Sequence, residues 1–241
     1  MIIIPAIDLK DGQCVRLFQG KRDAVTKYSN DPADTAKQWE SCGAELLHIV
    51  DLDGAFTGRP KNLEAIIKIR NAVNIPIQLG GGVRSFDIIN KIFSAGIDRV
   101  IIGTAAIQDP KFLNRSCSKY HNRILVGIDA KDGMLAIKGW KEITTVKAVE
   151  LAKSLEIEGI GGIVYTDITR DGTLSGPNIT AIKNIVENVK TPVIAAGGVC
   201  NIEDIKKLVE IKGLWGVITG KAIYEGTLDL KEAIKFVKSN A

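Results

Sequence analysis

The chain repeats itself. Ile7-Asp8-Leu9-Lys10-Asp11-Gly12 returns as Ile128-Asp129-Ala130-Lys131-Asp132-Gly133. Downstream, at one constant offset, Pro76-Ile77-Gln78-Leu79-Gly80-Gly81-Gly82-Val83 returns as Pro192-Val193-Ile194-Ala195-Ala196-Gly197-Gly198-Val199, and Ala106-Ile107 as Ala222-Ile223. Between these, Asp53-Gly54-Ala55-Phe56-Thr57-Gly58 is echoed by Asp171-Gly172-Thr173-Leu174-Ser175-Gly176. A duplication on this scale makes one packing solution serve twice. It predicts two equivalent halves, about 1–120 and 121–241, each supplying half of a common core.

Each half alternates short β-branched runs with helical patterns, as successive βα units around a parallel sheet do. The candidate strands are Ile2–Ile7, Leu46–Val50, Ile75–Leu79, Arg99–Ile102, Ile124–Ile128, Gly162–Tyr165, Val193–Ala196 and Leu214–Ile218. Their near-continuous apolar character suits strands covered on both faces. Helices are expected over Asp31–Cys42, with Asp31 as N-cap and Pro32 first in the helix, and over Lys61–Ala72. Ser85 and Asn201 open two more, while Asp109-Pro110 and Pro177-Asn178 punctuate others. Eight βα units in 241 residues predict one domain, 1–241, folded as a (β/α)8 TIM barrel with a two-fold internal half-barrel repeat. An open doubly wound sheet that binds a dinucleotide would carry Gly-x-Gly-x-x-Gly after its first strand, and none follows here.

Composition removes other classes. Hydrophobic residues make up 45% and charged residues 25%, a balance that favours a packed core over disorder. Lys and Arg number 32 against 28 Asp and Glu, and the basic residues are scattered, so no nucleic-acid stripe is present. The apolar runs are strand-sized, short of the ~18 residues of a membrane helix. The opening Met1-Ile2-Ile3-Ile4 has no basic n-region and soon meets Asp8, unlike a secretory signal, so a cytoplasmic location is expected. Cys14, Cys42, Cys117 and Cys200 stand far apart, and His48 and His121 are the only histidines. Neither a disulfide framework nor a His-based metal site is expected.

In a βα barrel the reactive groups sit where strands end and loops begin. Asp8 and Asp129 hold that place on the first and fifth strands, opposite one another in a ring of eight. A carboxylate set straight after an apolar run is unfavourable unless something pairs with it or uses it. One such aspartate could simply cap its turn. Two in symmetric positions can act as acid and base on either side of a substrate. Asp11 and Asp132, each before glycine, read as turn residues.

Gly80-Gly81-Gly82 and Gly197-Gly198 follow strands three and seven and precede helix starts, so their N–H groups can cradle phosphate. Gly103-Thr104 and Gly220-Lys221, after strands four and eight, complete two symmetric loop pairs. A ligand with two phosphates is expected. Arg16 and Arg84 could clamp an oxygen or lie solvated. Thr166-Asp167 ends strand six, and its hydroxyl, or one in the following Asp171-Gly172-Thr173 loop, could orient a carboxylate. Trp140 could stack on a ring or cover the core. His48 reads as a satisfied core histidine, with Asp51 a possible partner.

Taken jointly, Ile4-Pro5-Ala6-Ile7-Asp8-Leu9, His48-Ile49-Val50-Asp51-Leu52-Asp53-Gly54-Ala55, Gly80-Gly81-Gly82-Val83-Arg84, Gly103-Thr104-Ala105, Lys138-Gly139-Trp140, Thr166-Asp167-Ile168-Thr169-Arg170-Asp171-Gly172-Thr173, Gly197-Gly198-Val199 and Gly220-Lys221-Ala222 carry a family likeness. The chain resembles the phosphoribosylformimino-5-aminoimidazole carboxamide ribotide isomerases of histidine biosynthesis from Met1 nearly to its end. The resemblance implies an Amadori rearrangement, in which the aminoaldose end of a bis-phosphorylated ribotide opens and becomes an aminoketose. It implies Asp8 as base, Asp129 as acid and Thr166 in support of the acid. Aspartates ordinarily titrate near ~3.9, so the acid would need burial or a neighbouring carboxylate to keep its proton at neutral pH.

The binding set then expected is Gly81, Gly82, Arg84, Gly103, Thr104, Gly176, Gly197, Gly198, Gly220, Lys221, Arg16 and Trp140. No cofactor, metal, nucleic acid, membrane or obligate protein partner is implied. Several motifs are shared with the cyclase subunit of imidazole glycerol phosphate synthase, whose opening usually reads Cys-Leu-Asp-Val where this chain has Ala6-Ile7-Asp8-Leu9. Lys138 stands where relatives that also isomerise phosphoribosylanthranilate tend to carry arginine.

Overall fold

The computed structural model describes residues 1–240. Its strands, in chain order, are β1 (Ile2–Lys10), β2 (Gln13–Leu17), β3 (Val25–Ser29), β4 (Leu47–Asp51), β5 (Ile77–Gly80), β6 (Arg99–Ile102), β7 (Ile124–Lys131), β8 (Met134–Ile137), β9 (Glu142–Lys147), β10 (Ile160–Asp167), β11 (Val193–Ala196) and β12 (Leu214–Thr219). Eight close a ring in the order β1-β4-β5-β6-β7-β10-β11-β12 and back to β1, every neighbouring pair parallel. With helices between successive ring strands, this is the expected (β/α)8 barrel.

Alternation along the strands decides what fills the ring. Ile4, Ala6, Leu46, Ile101, Leu125, Val164, Ile194 and Ile218 form one buried cluster inside it. Each large aliphatic side chain among them contributes about 1.5–3 kcal/mol by leaving water. Side chains two places apart on a strand share a face. Asp8, His48, Gly103, Gly127, Thr166, Ala196 and Gly220 therefore continue the lumen-facing rows towards the mouth, where all of them line cavities.

Four strands escape the sequence reading. β2 with β3, and β8 with β9, form antiparallel ribbons that continue from β1 and β7. Each ribbon begins with a two-residue Asp-Gly turn, at φ 50° and 75° for Asp11-Gly12 and 51° and 76° for Asp132-Gly133. Positive φ at both residues is the type I′ geometry of tight hairpins, which bears out the turn role of Asp11 and Asp132. The ribbons were hidden because β3 and β9 are largely exposed and bury no apolar face.

Caps follow the sequence closely. Asp31 accepts from the Ala33 and Asp34 N–H groups, both at 3.0 Å, and opens the helix Pro32–Ser41. Ser85 and Asn201 cap their helices as expected. The helix expected from Lys61 begins at Leu63, because Lys61 and Asn62 give their N–H groups to the Asp51 carboxylate instead. Among the described residues, no helix is long and apolar enough to cross a membrane.

Candidate active site

The mouth of the barrel holds a cavity of about 270 Å³. Asp8 on β1 and Asp129 on β7 both line it, four steps apart in the ring of eight and hence on opposite walls. Arg16 on β2 sets its Nη1 2.8 Å from Asp8 Oδ2. Burial lifts the Asp8 carboxyl to about 6, against the pull of Arg16, while the nearby Asp171 charge adds to the rise. Asp129 is also raised by burial, and polar groups of Trp140 and Thr166 draw it part of the way back. Thr166 stands beside Asp129 in strand register.

Two glycine cradles flank the carboxyls. Gly81, Gly82, Arg84, Gly103 and Thr104 line the main cavity at the β5–β6 side. Gly197, Gly198, Gly220 and Lys221 line a small pocket at the β11–β12 side, which shares Arg16, Asp171, Ala196 and Ile218 with the main cavity. These two sides are opposite as well. Gly81 and Gly197 lie at φ 105° and 94°. A Cβ at Gly81 would collide with the Asp51 carbonyl, and one at Gly197 would come within 2.8 Å of the Asp167 carbonyl. Both conformation and space require glycine there. At Gly220, a Cβ would meet the Arg16 guanidinium at 2.5 Å, so its absence lets Arg16 lie between the second cradle and Asp8.

One expected binding residue lies elsewhere. Gly176 lines neither pocket; its N–H donates to the Gly198 carbonyl at 3.0 Å, supporting the cradle from behind. The Thr104 hydroxyl accepts from the Lys138 N–H at 3.2 Å and so ties the second-half ribbon to the first cradle. Lys221 Nζ donates to the Gly172 carbonyl at 2.9 Å. Trp140 lines the cavity, and its ring packs where a side chain at Gly20 would be. Arg84 is exposed at the rim.

His48 is buried and hydrogen-bonded, as a core histidine would be, yet it faces the cavity and its partner is Gln78 rather than Asp51. Its Nδ1 lies 3.0 Å from Gln78 Nε2, and Gln78 Oε1 accepts from Arg99 at 2.8 Å. Burial, then Arg16 and Arg99, lower its pKa to about 3, so the ring is neutral. Asp51 is instead held by Gly54, Lys61 and Asn62.

Asp171 is the residue that sequence reasoning underweighted. It lines both pockets, 3.9 Å from Arg16, and burial raises its carboxyl although Arg16 opposes the rise. Its repeat partner Asp53 lines neither of these pockets and accepts from the Asp11 N–H at 2.8 Å and from Asn62. Both aspartates precede glycine, so local sequence could not separate them.

Residues 2–229 match the family model described as "Histidine biosynthesis protein". The chain belongs to that family. It is 58% identical over 240 residues to the 1-(5-phosphoribosyl)-5-((5-phosphoribosylamino)methylideneamino)imidazole-4-carboxamide isomerase of Thermodesulfovibrio yellowstonii, an alignment covering 100% of this chain and 98% of that protein. Proteins of the same name from Geotalea daltonii and Magnetococcus marinus are 55% and 53% identical. Those alignments cover 100% and 97% of this chain, and 99% and 97% of the relatives. The isomerase family suggested by the motifs is the one found.

Proposed function

We propose that the chain catalyses the isomerisation its relatives are named for, converting the aminoaldose end of that bis-phosphorylated ribotide to the aminoketose. The observation that carries this is the pair of raised carboxyls, Asp8 and Asp129, on opposite walls of one cavity flanked by two glycine cradles. The relatives' name contains two phosphoribosyl groups, one for each cradle.

The chemistry follows from the two environments. Protonated Asp129 gives its proton to the ribose ring oxygen as the C1–O bond breaks, and the nitrogen lone pair completes a Schiff base. Ionised Asp8 takes the proton from C2, and the C–H electron pair forms the enolamine. The enol proton passes back to Asp129 and Asp8 gives its proton to C1, which forms the ketone and restores both carboxyls, so the net change moves one hydrogen from C2 to C1 and one from the 2-hydroxyl to the former ring oxygen. Arg16 keeps Asp8 ionised, while Thr166 and Trp140 orient Asp129. Gly81, Gly82, Arg84, Gly103 and Thr104 hold one phosphate, and Gly197, Gly198, Gly220 and Lys221 the other, with Gly176 as support.

None of these steps needs a cofactor or metal. Asp8, Asp129 and both cradles all come from one barrel, which supports action on a small molecule without an obligate partner protein; a cytoplasmic location is part of the same proposal. Turnover of the ribotide by the purified protein tests the reading. Conversion of the aminoketose with free ammonia, and no ribotide isomerisation, would instead establish the cyclase.

A further inference from the structure

We propose that two aspartate–asparagine clamps, Asp51 with Asn62 and Asp167 with Asn178, each built on a buried aspartate, position the two phosphate cradles. The inference rests on the reading that the cradles hold the substrate's phosphates, and it adds positioning residues that do not touch the ligand. In both halves the pair is separated by 11 residues and joined by a 2.7 Å bond from the asparagine amide to the aspartate carboxylate.

Each aspartate ends a barrel strand, and its backbone carbonyl is the floor against which the first cradle glycine, Gly81 or Gly197, is seated. The segment inside each clamp supplies the wall for the second glycine, Gly54 O against Gly82 and Gly176 O against Gly198. Fixing the strand-end aspartate therefore fixes where the cradle N–H groups point. A carboxylate buried this completely stays in place only while its acceptors are used. Asp51 accepts from the N–H groups of Gly54, Lys61 and Asn62 as well as the Asn62 amide. Asp167 accepts from the Thr169 N–H at 2.9 Å and the Thr169 hydroxyl at 2.6 Å besides Asn178.

The clamps differ in reach. Asn62 Oδ1 accepts from the Gly12 N–H at 2.7 Å, and its amide also approaches the Leu9 carbonyl, so the first clamp grips the hairpin that carries Asp8. Asn178 Oδ1 instead caps the helix Ile179–Asn188 through the Ala181 N–H. The first clamp should therefore govern both phosphate binding and chemistry, and the second phosphate binding alone.

Serine at either asparagine is too short to bridge but, at 178, still caps the helix. Asn178→Ser is expected to raise KM for the ribotide, and Ki for inorganic phosphate, by about tenfold with kcat within about twofold, the scale of losing an orienting hydrogen bond. Asn62→Ser is expected to raise KM similarly and also to lower kcat. The exchange Asp167→Asn with Asn178→Asp restores the bond with its ends reversed and should recover KM.

A lowered melting temperature with unchanged KM and Ki, a kcat loss alone in Asn178→Ser, or no recovery in the exchange would overturn the clamp. If the wild-type protein does not turn over the ribotide, the isomerase reading fails separately. Inorganic phosphate binding by calorimetry then decides: weaker binding in Asn178→Ser supports the clamp, while equal binding, or none to the wild type, removes it.

Discussion

The two halves of the barrel place their mouth aspartates in equivalent positions and give them unlike neighbours. In strand register, Asp8 lies between Val15 and Val50, and Asp129 between Ala136 and Thr166. The residue after Val15 is Arg16, and the residue after Ala136 is Ile137. A guanidinium thus stabilises the ionised form of Asp8, whereas Asp129 meets a hydroxyl and an indole with no arginine against it. Duplication supplies two carboxyls. Divergence at two neighbouring positions gives them unlike surroundings, one with a cation that favours the charged form and one without, which suits the proposed base and acid in turn.

The largest test removes each carboxyl in turn. Asp8→Asn and Asp129→Asn are each expected to lower kcat by about 10²–10⁴-fold, the usual weight of a positioned acid or base. Near wild-type turnover in either variant would end the division of labour. Next comes the comparison of Gly81→Ala with Gly197→Ala. Both force a side chain into left-handed backbone against a carbonyl, costing about 1–3 kcal/mol of unfolding stability, with Gly81→Ala the worse because its contact is closer. Denaturant unfolding measures this, and equal or reversed losses would show that the closeness of the facing carbonyl does not set the cost.

The pH profile separates the carboxyls further. kcat/KM should rise through about pH 6 as Asp8 loses its proton, since the free enzyme needs the ionised base. Arg16→Met removes the cation that lowers this value, so the acid limb should move up by about one pH unit. A limb that stays or moves down would show that Arg16 does not steady Asp8. The smallest expected effect is at Trp140. Its hydrogen bond lowers the Asp129 value, so Trp140→Phe should carry the alkaline limb upward by less than about one unit.

Much of the site was legible because strand parity is local. Asp8 and Asp129 each end a lumen-facing row that an apolar run announces, and the paired glycine loops repeat almost residue for residue. The ribbons were not legible, because β3 and β9 leave no buried stripe. Asp171 was not separable from Asp53, and the partner of His48 could not be named, because Gln78 belongs to the next strand in space. Gly176 shared the repeat's glycine pattern but lies behind the cradle rather than in it.

By itself the sequence determined the barrel, its two-fold plan and the strand ends where acids and glycines emerge, since these follow from periods of two and from repetition along the chain. Folding in three dimensions settled which acid sits beside arginine, which beside threonine and tryptophan, and that Asp171 rather than Asp53 reaches the mouth. Those contacts depend on register between strands and ribbons remote in sequence, and a local hydrophobic period carries no information about register across such gaps.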